Sequence, residues 1–136
     1  MLEAAVGHTS RVQELLAKRQ EQRELTPLEK TTLRNSYFAQ GASQFDLQRF
    51  DDAIKTYSAA TNQYQHEPEV LEAFMQIASC YRRLGRLSEA RGIMQQAKVV
   101  LQRLDADAAF SVATNQDRRQ WSELLDWWAK FYQANE

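Results

Sequence analysis

His8 and His66 are the only histidines in this 136-residue chain and Cys80 is its only cysteine, so a metal site, a general base or a thiol nucleophile would have to be built around these three side chains. A metal ion or a hydrolytic centre needs a second ligand at fixed spacing, and neither histidine has a His, Cys or carboxylate partner in an HExxH or CxxC pattern. Cys80 falls between Ile77 and Tyr81 in an apolar helical stripe, where a small soft side chain fills core space. A nucleophile would need an electropositive, partly open site and a base. Asp51-Asp52 stands at a helix start, where two carboxylates suit the helix dipole better than acid–base work. There is no Walker loop, no GxSxG and no Gly-rich phosphate cradle. These residues imply no catalytic group, no metal and no cofactor, and the chain is read as a non-enzyme.

Two other groups could do recognition rather than catalysis. Arg82, Arg83 and Arg86, with Arg91 nearby, are the densest basic feature. They suit the C-terminal end of a helix, where cations meet the negative end of the dipole, and they also suit a carboxylate-bearing ligand, which guanidinium binds with paired hydrogen bonds. Trp121, Trp127 and Trp128 form the second group. Trp121, Leu124, Leu125 and Trp128 share one helical face and are read as the cover of a core, while Trp127 lies at that face's margin and is read as exposed or at a subunit contact.

The elements that hold these groups follow from composition and period. Hydrophobic residues make up 43% and charged residues 26%, with only four Gly and two Pro, too few turn formers for a sandwich, a barrel or a Gly-looped α/β sheet. The expected class is all-α, in one domain over residues 1–136. A net charge of −1 excludes a general field for nucleic acid, no apolar run is long enough for membrane insertion, and a lone cysteine forms no internal disulfide. An acid at Glu3 disfavours a signal peptide, and the amphipathic start suits a segment of a longer protein. The segment reads as soluble and leaves the compartment open.

Thr9 or Ser10 is expected to cap a first, surface-lying helix over 9–24, with Gly7 outside the folded core. Thr26-Pro27-Leu28-Glu29 is a capping box with proline at the first helical position, opening a helix to about Asp46. Phe50 to Tyr64 follows, then Pro68 to Leu84 with Gly85 as a left-handed stop, then a helix capped by Ser88 and running to Leu104. A looser stretch from Asp105 to Ala113 precedes a last helix over 115–133, with its cap among Thr114-Asn115-Gln116-Asp117.

Laying Ala53 on Ala90 aligns two helix pairs at an offset of 37 residues: Phe50 falls on Leu87, Tyr57 on Met94, Ala60 on Ala97, Tyr37 on Phe74 and Gly41 on Ala78. A helix-turn-helix unit repeating at this period marks a solenoid, since one pair cannot cover its own apolar face. The small residues allow close helix approach, Gly41 at the first pair among them. Gly92, mid-helix, is the glycine without such a role, and a close backbone contact is expected there.

At these residues the chain resembles tetratricopeptide repeat (TPR) proteins. Phe74-x2-Ile77-Ala78-x2-Tyr81, Gly85, Leu87 and Ala90-x3-Met94-x2-Ala97 fit the repeat pattern; the first unit, 27–64, is degenerate, with Gln40 and Gln44 where the family prefers an aliphatic and an aromatic residue. The second unit is 68–104. The longer connection near Tyr64 to Pro68 resembles bacterial envelope assembly repeats, and Cys80-Tyr81-Arg82-Arg83-Leu84-Gly85 with Glu89-Ala90-Arg91-Gly92 is similar to planctomycete repeats. The resemblance implies a TPR-like α-solenoid of antiparallel helix pairs with N- and C-terminal capping helices. It further implies that the first helix of each pair lines a concave groove, through Asn35, Phe38, Ala42, Phe45 and Asp46, then Glu72, Met75, Ser79, Arg82 and Arg83. Apolar Phe38, Phe45 and Met75 beside two guanidiniums would suit a peptide carrying an acid. The family's Lys and Asn clamp for a terminal carboxylate is not implied, since Phe38 and Ala42 stand at those positions. The implied function is a non-catalytic scaffold or adaptor for a protein or peptide partner. The alternative is a self-associating module, a homodimer or part of a multi-repeat envelope or secretory assembly.

Overall fold

A computed structural model describes residues 2–105, 110 and 114–136. Among them are six helices and no strand: α1 Leu2–Gln22, α2 Pro27–Asp46, α3 Phe50–Gln63, α4 Val70–Arg83, α5 Leu87–Arg103 and α6 Arg118–Ala134. Most of the expected Asp105 to Ala113 stretch lies outside the described residues. Each helix packs on the next in chain order, and the three-residue turns after α2 and α4 make α2/α3 and α4/α5 antiparallel hairpins. The chain is an all-α, TPR-like solenoid.

Both hairpins are turned by the same device. At the end of α4 the Gly85 N–H donates to the Arg82 carbonyl (2.9 Å) and the Arg86 N–H to that of Tyr81 (2.8 Å), with Gly85 at φ +74°. At the end of α2 the Gln48 N–H donates to Phe45 (2.9 Å) and the Arg49 N–H to Gln44 (2.8 Å), with Gln48 at φ 60°. These are Schellman stops that satisfy the orphan carbonyls of a helix end. Gln48 and Gly85 are equivalent at the repeat offset, so the first unit holds a side chain in the left-handed region that the second reserves for glycine.

The Thr26 box forms as expected: Thr26 Oγ1 accepts from the Glu29 N–H (3.2 Å) and Glu29 Oε1 accepts from the Thr26 N–H (2.9 Å). Its hydrogen bond from Arg23, the Thr26 amide and a further hydrogen bond from Arg19 hold the Glu29 carboxyl far below the usual carboxylate range. Asp117 caps α6 through a second box with Gln120, so that helix begins at Arg118 rather than 115.

Other starts differ from expectation. The first helix begins at Leu2, not Thr9, and ends at Gln22 rather than Glu24. Thr9 is mid-helix, its hydroxyl donating to the Ala5 and Val6 carbonyls (3.1 and 2.9 Å), which removes the donor-starved end it would have capped. Gly7 therefore lies inside α1. α4 starts at Val70, because Glu67, Pro68 and Glu69 each accept across a three-residue turn before the helix proper. Ser88 lies within α5, whose N-cap is Arg86 without a side-chain cap. No close backbone contact occurs at Gly92: a Cβ there would meet nothing within 4 Å.

The largest core gathers Val70, Leu71, Phe74, Met94, Leu101, Trp121, Leu125 and Tyr132 from α4, α5 and α6. A second, built on Ala53, Tyr57, Ala73, Ile77 and Cys80, joins the two hairpins. Leu16, Leu25 and Leu33 close α1 onto α2. The two glutamines that make the first unit degenerate are used here: Gln40 accepts from Gln13 (2.8 Å) and donates to Ser10 (2.9 Å) of α1, and buried Gln44 accepts from the Thr56 hydroxyl of α3 (2.6 Å). Arg118 donates to the carbonyls of Leu101 and Leu104 (2.6 Å each) and Asp105 (2.8 Å), capping the end of α5 from the start of α6.

Candidate functional site

One face of α4 carries Glu72, Met75, Gln76, Ser79, Arg82 and Arg83, residues three and four apart that line up along a helix. Met75 is half-buried against the largest core, Ser79 is half-buried, and Arg82 and Arg83 are exposed. Across from this stripe, α2 contributes Phe38 and Phe45, both half-buried against the core that joins the hairpins. Phe38, Tyr57, Glu72, Ala73 and Gln76 line a depression of about 170 Å³.

The basic cluster divides into two kinds of residue. Arg86 is held by Glu89 through two contacts of 2.6 Å, and Arg91 pairs with Glu136 at 3.0 Å. Arg82 and Arg83 have no ion pair among the described residues. Their guanidiniums lie over rings instead: Arg83 over Phe45 (5.7 Å) and Phe50 (5.1 Å), which meet edge to face at 5.2 Å, and Arg82 over Trp128 (5.9 Å). Stacking on an aromatic face orients a guanidinium while leaving its in-plane donors for a carboxylate.

The two ends of the stripe differ in charge. Near the start of α4, Glu72 is pushed above the usual carboxylate range by burial and then by neighbouring Glu69, while Arg34 of α2 is taken up by Glu67 (3.1 Å) and Glu69 (3.5 Å). The far end carries Arg82 and Arg83, without an ion pair among the described residues.

Phe38, Phe45 and Phe50 pack on the core that joins the hairpins, with Arg83 over the last two, while Met75 and Trp128 pack on the largest core, with Arg82 over Trp128. Phe50 and Trp128 are the ring partners that sequence reasoning left out of the site. Trp128 lies on the core stripe of α6, and no spacing in one helix signals a stacking partner on another. Trp127 is 57% exposed.

Of the remaining reactive residues, Cys80 is buried and the others are exposed. Cys80 is fully buried, and burial pushes its thiol up to about 11, so it carries no thiolate at neutral pH. His8, His66, Asp51 and Asp52 are exposed. Among the described residues no three His, Cys, Asp or Glu side chains group as a metal ion requires, and no helix is long and apolar enough to cross a membrane.

Residues 72–105 match the tetratricopeptide repeat family. No curated protein and no solved structure matches the chain. The matched TPR segment runs from the first turn of α4 through α5, so it contains the charged stripe and its Schellman turn. TPR repeats generally mediate protein–protein interaction and are typically non-catalytic. The α2/α3 pair lies outside the match and is tied to the repeat by the 37-residue offset and the shared turn geometry.

Proposed function

We propose that the chain is a non-catalytic interaction module, a scaffold or adaptor that binds an acidic peptide segment of a partner protein along the α2 and α4 face. The observation that carries this reading is the pair of unneutralised guanidiniums, Arg82 and Arg83, each stacked on a ring and open to solvent. Two adjacent guanidiniums on α4, without an ion pair among the described residues and each lying over a ring, fit a site for a ligand carboxylate. Phe38, Phe45 and Met75 supply apolar contact, and Ser79 a hydroxyl between the two halves. From Glu72 to Arg83 the stripe is roughly 16 Å long, which an extended peptide covers with about five residues. The Cys80 to Gly92 phrase, similar to planctomycete repeats, supports a bacterial source for the chain.

The test is a peptide selection from a displayed random library on the immobilised chain, repeated with Arg82→Glu/Arg83→Glu. Enriched acidic peptides that bind the native chain at least tenfold more tightly than the variant, with helicity unchanged, are the expected result. Failure to enrich any peptide, or binding indifferent to the double substitution, overturns the reading.

A further inference from the structure

The terminal helices of a solenoid expose one side to water and are normally polar there. α1 exposes Arg11, Glu14, Lys18 and Glu21 around Leu15. α6 exposes a tryptophan. Its buried stripe of Trp121, Leu125 and Tyr132 faces α5, the one helix it packs along. Trp127 lies roughly 130° around the helix from that stripe at about 100° per residue. It is 57% exposed and stacked on Phe131 (5.5 Å, 12° between planes).

The flanks of Trp127 are unlike each other. Half-buried Leu124 and Phe131 lie on one side; exposed Glu123 and Lys130 lie on the other. Lys130 has no ion pair among the described residues, and Glu123 is held only by Arg119 on its own helix (3.1 Å), with both side chains largely in solvent.

We propose that a second copy of this chain covers this face, its α6 running antiparallel to the first about a two-fold axis at Trp127. The charge pattern selects that arrangement. Lys130 is three residues beyond Trp127 and Glu123 four before it, so inversion brings Lys130 and the partner's Glu123 to within about 1.5 Å of the same height. A two-fold axis perpendicular to both helices also lays like flank on like flank. Lys130 then meets the partner's Glu123 twice over, Leu124 meets the partner's Phe131, and the two Trp127 rings meet at the centre. A parallel pair would set each charged flank against an apolar one. The contact is isologous and closes at two copies. It uses a different face from the groove and does not rest on the peptide-binding reading.

Sedimentation equilibrium of the full chain from low to high micromolar concentration tests it. The native chain dimerises; Trp127→Glu and Lys130→Glu each weaken the dimer tenfold or more; Glu123→Lys with Lys130→Glu returns it to within about threefold of native, since the swap restores both cross-pairs. Circular dichroism checks that these exposed substitutions leave helicity intact. A native chain that stays monomeric overturns the proposal and assigns the face to another occupant, such as a further helix of a longer chain. A dimer indifferent to Trp127→Glu, or a double swap as weak as the single, also overturns it.

Discussion

Replacing Gly41 and Gly92 by alanine makes one chemical change in two mid-helix positions, and the structure gives the two changes opposite signs. Glycine destabilises a helix interior by roughly 0.5–1 kcal/mol relative to alanine, so each substitution begins with that gain. At Gly92 the new methyl meets nothing within 4 Å and the gain stands. At Gly41 the methyl would lie 2.6, 2.7 and 2.8 Å from Cζ, Cε2 and Cε1 of Tyr57. That ring is 4% exposed and wedged in the core that joins the hairpins, with the depression beside Phe38 and Glu72 at its edge. Overpacking of this kind costs about 1–3 kcal/mol, and three ring atoms inside 3 Å argue for the upper half, leaving a net loss of about 1–2 kcal/mol. At about 4 °C per kcal/mol for a chain of this size, Gly92→Ala raises Tm by about 2–4 °C and Gly41→Ala lowers it by about 4–8 °C. Urea unfolding followed by far-UV circular dichroism should show the midpoints moving apart at constant m. In a Tyr57→Leu background the loss at Gly41 should shrink, because leucine lacks the ring atoms that collide. Two substitutions that move stability in the same direction would refute the packing argument.

The paired helix stops make a second prediction: Gln48→Gly stabilises the chain by about 0.5–1 kcal/mol by relieving a left-handed side chain, and Gly85→Gln costs about 1 kcal/mol, both read from urea midpoints. A third concerns alkaline pH. The folded chain holds the Cys80 thiol near 11 against an ordinary value of about 8.5–9, so above that ordinary value the unfolded chain releases a proton that the folded chain keeps. Stability therefore falls as pH rises from about 8.5 to 11, and Tyr57 and Tyr64, pushed up to about 12 by burial, extend the fall above pH 10. Cys80→Ala should flatten the first part of that profile in urea titrations run at stepped pH, and an unchanged slope would count against the assignment. A thiol reagent at pH 8 should label Cys80 only as the chain unfolds.

What could be read from the sequence was whatever rests on local chemistry. The Thr26 box, the Gly85 stop and the period of small residues through Gly41, Ala53 and Ala90 each act within one helix or across one turn, and each lies where expected. The start of α1 differs from the expected one because a threonine offers the same side chain to an N-cap and to a carbonyl one turn back; only the presence of helix before Thr9 decides between them. Gln40 and Gln44 look like decay of the repeat until α1 and α3 supply their hydrogen bonds. The candidate site divides in the same way. The alignment of Arg82 and Arg83 with Met75 and Ser79 follows from helical period, whereas the rings beneath them, Phe50 and Trp128, depend on how neighbouring helices cross. Arg118 carries no signal, since its reach to the last carbonyls of α5 depends on how α5 and α6 pack.

The role of α6 in the largest core bears on how the chain comes apart. Its two ends differ in kind: α1 meets the body through a small leucine cluster and polar bonds, whereas α6 supplies Trp121, Leu125 and Tyr132 to the same core as α4 and α5, and Arg118 fastens it to the last carbonyls of α5. In a molecule whose elements touch mainly their neighbours in sequence, opening proceeds from the ends inward. Fraying at α1 leaves both hairpins and the largest core whole, but detachment of α6 strips the matched repeat of its cover and opens that core. The chain therefore has one end that can be shortened and one that cannot.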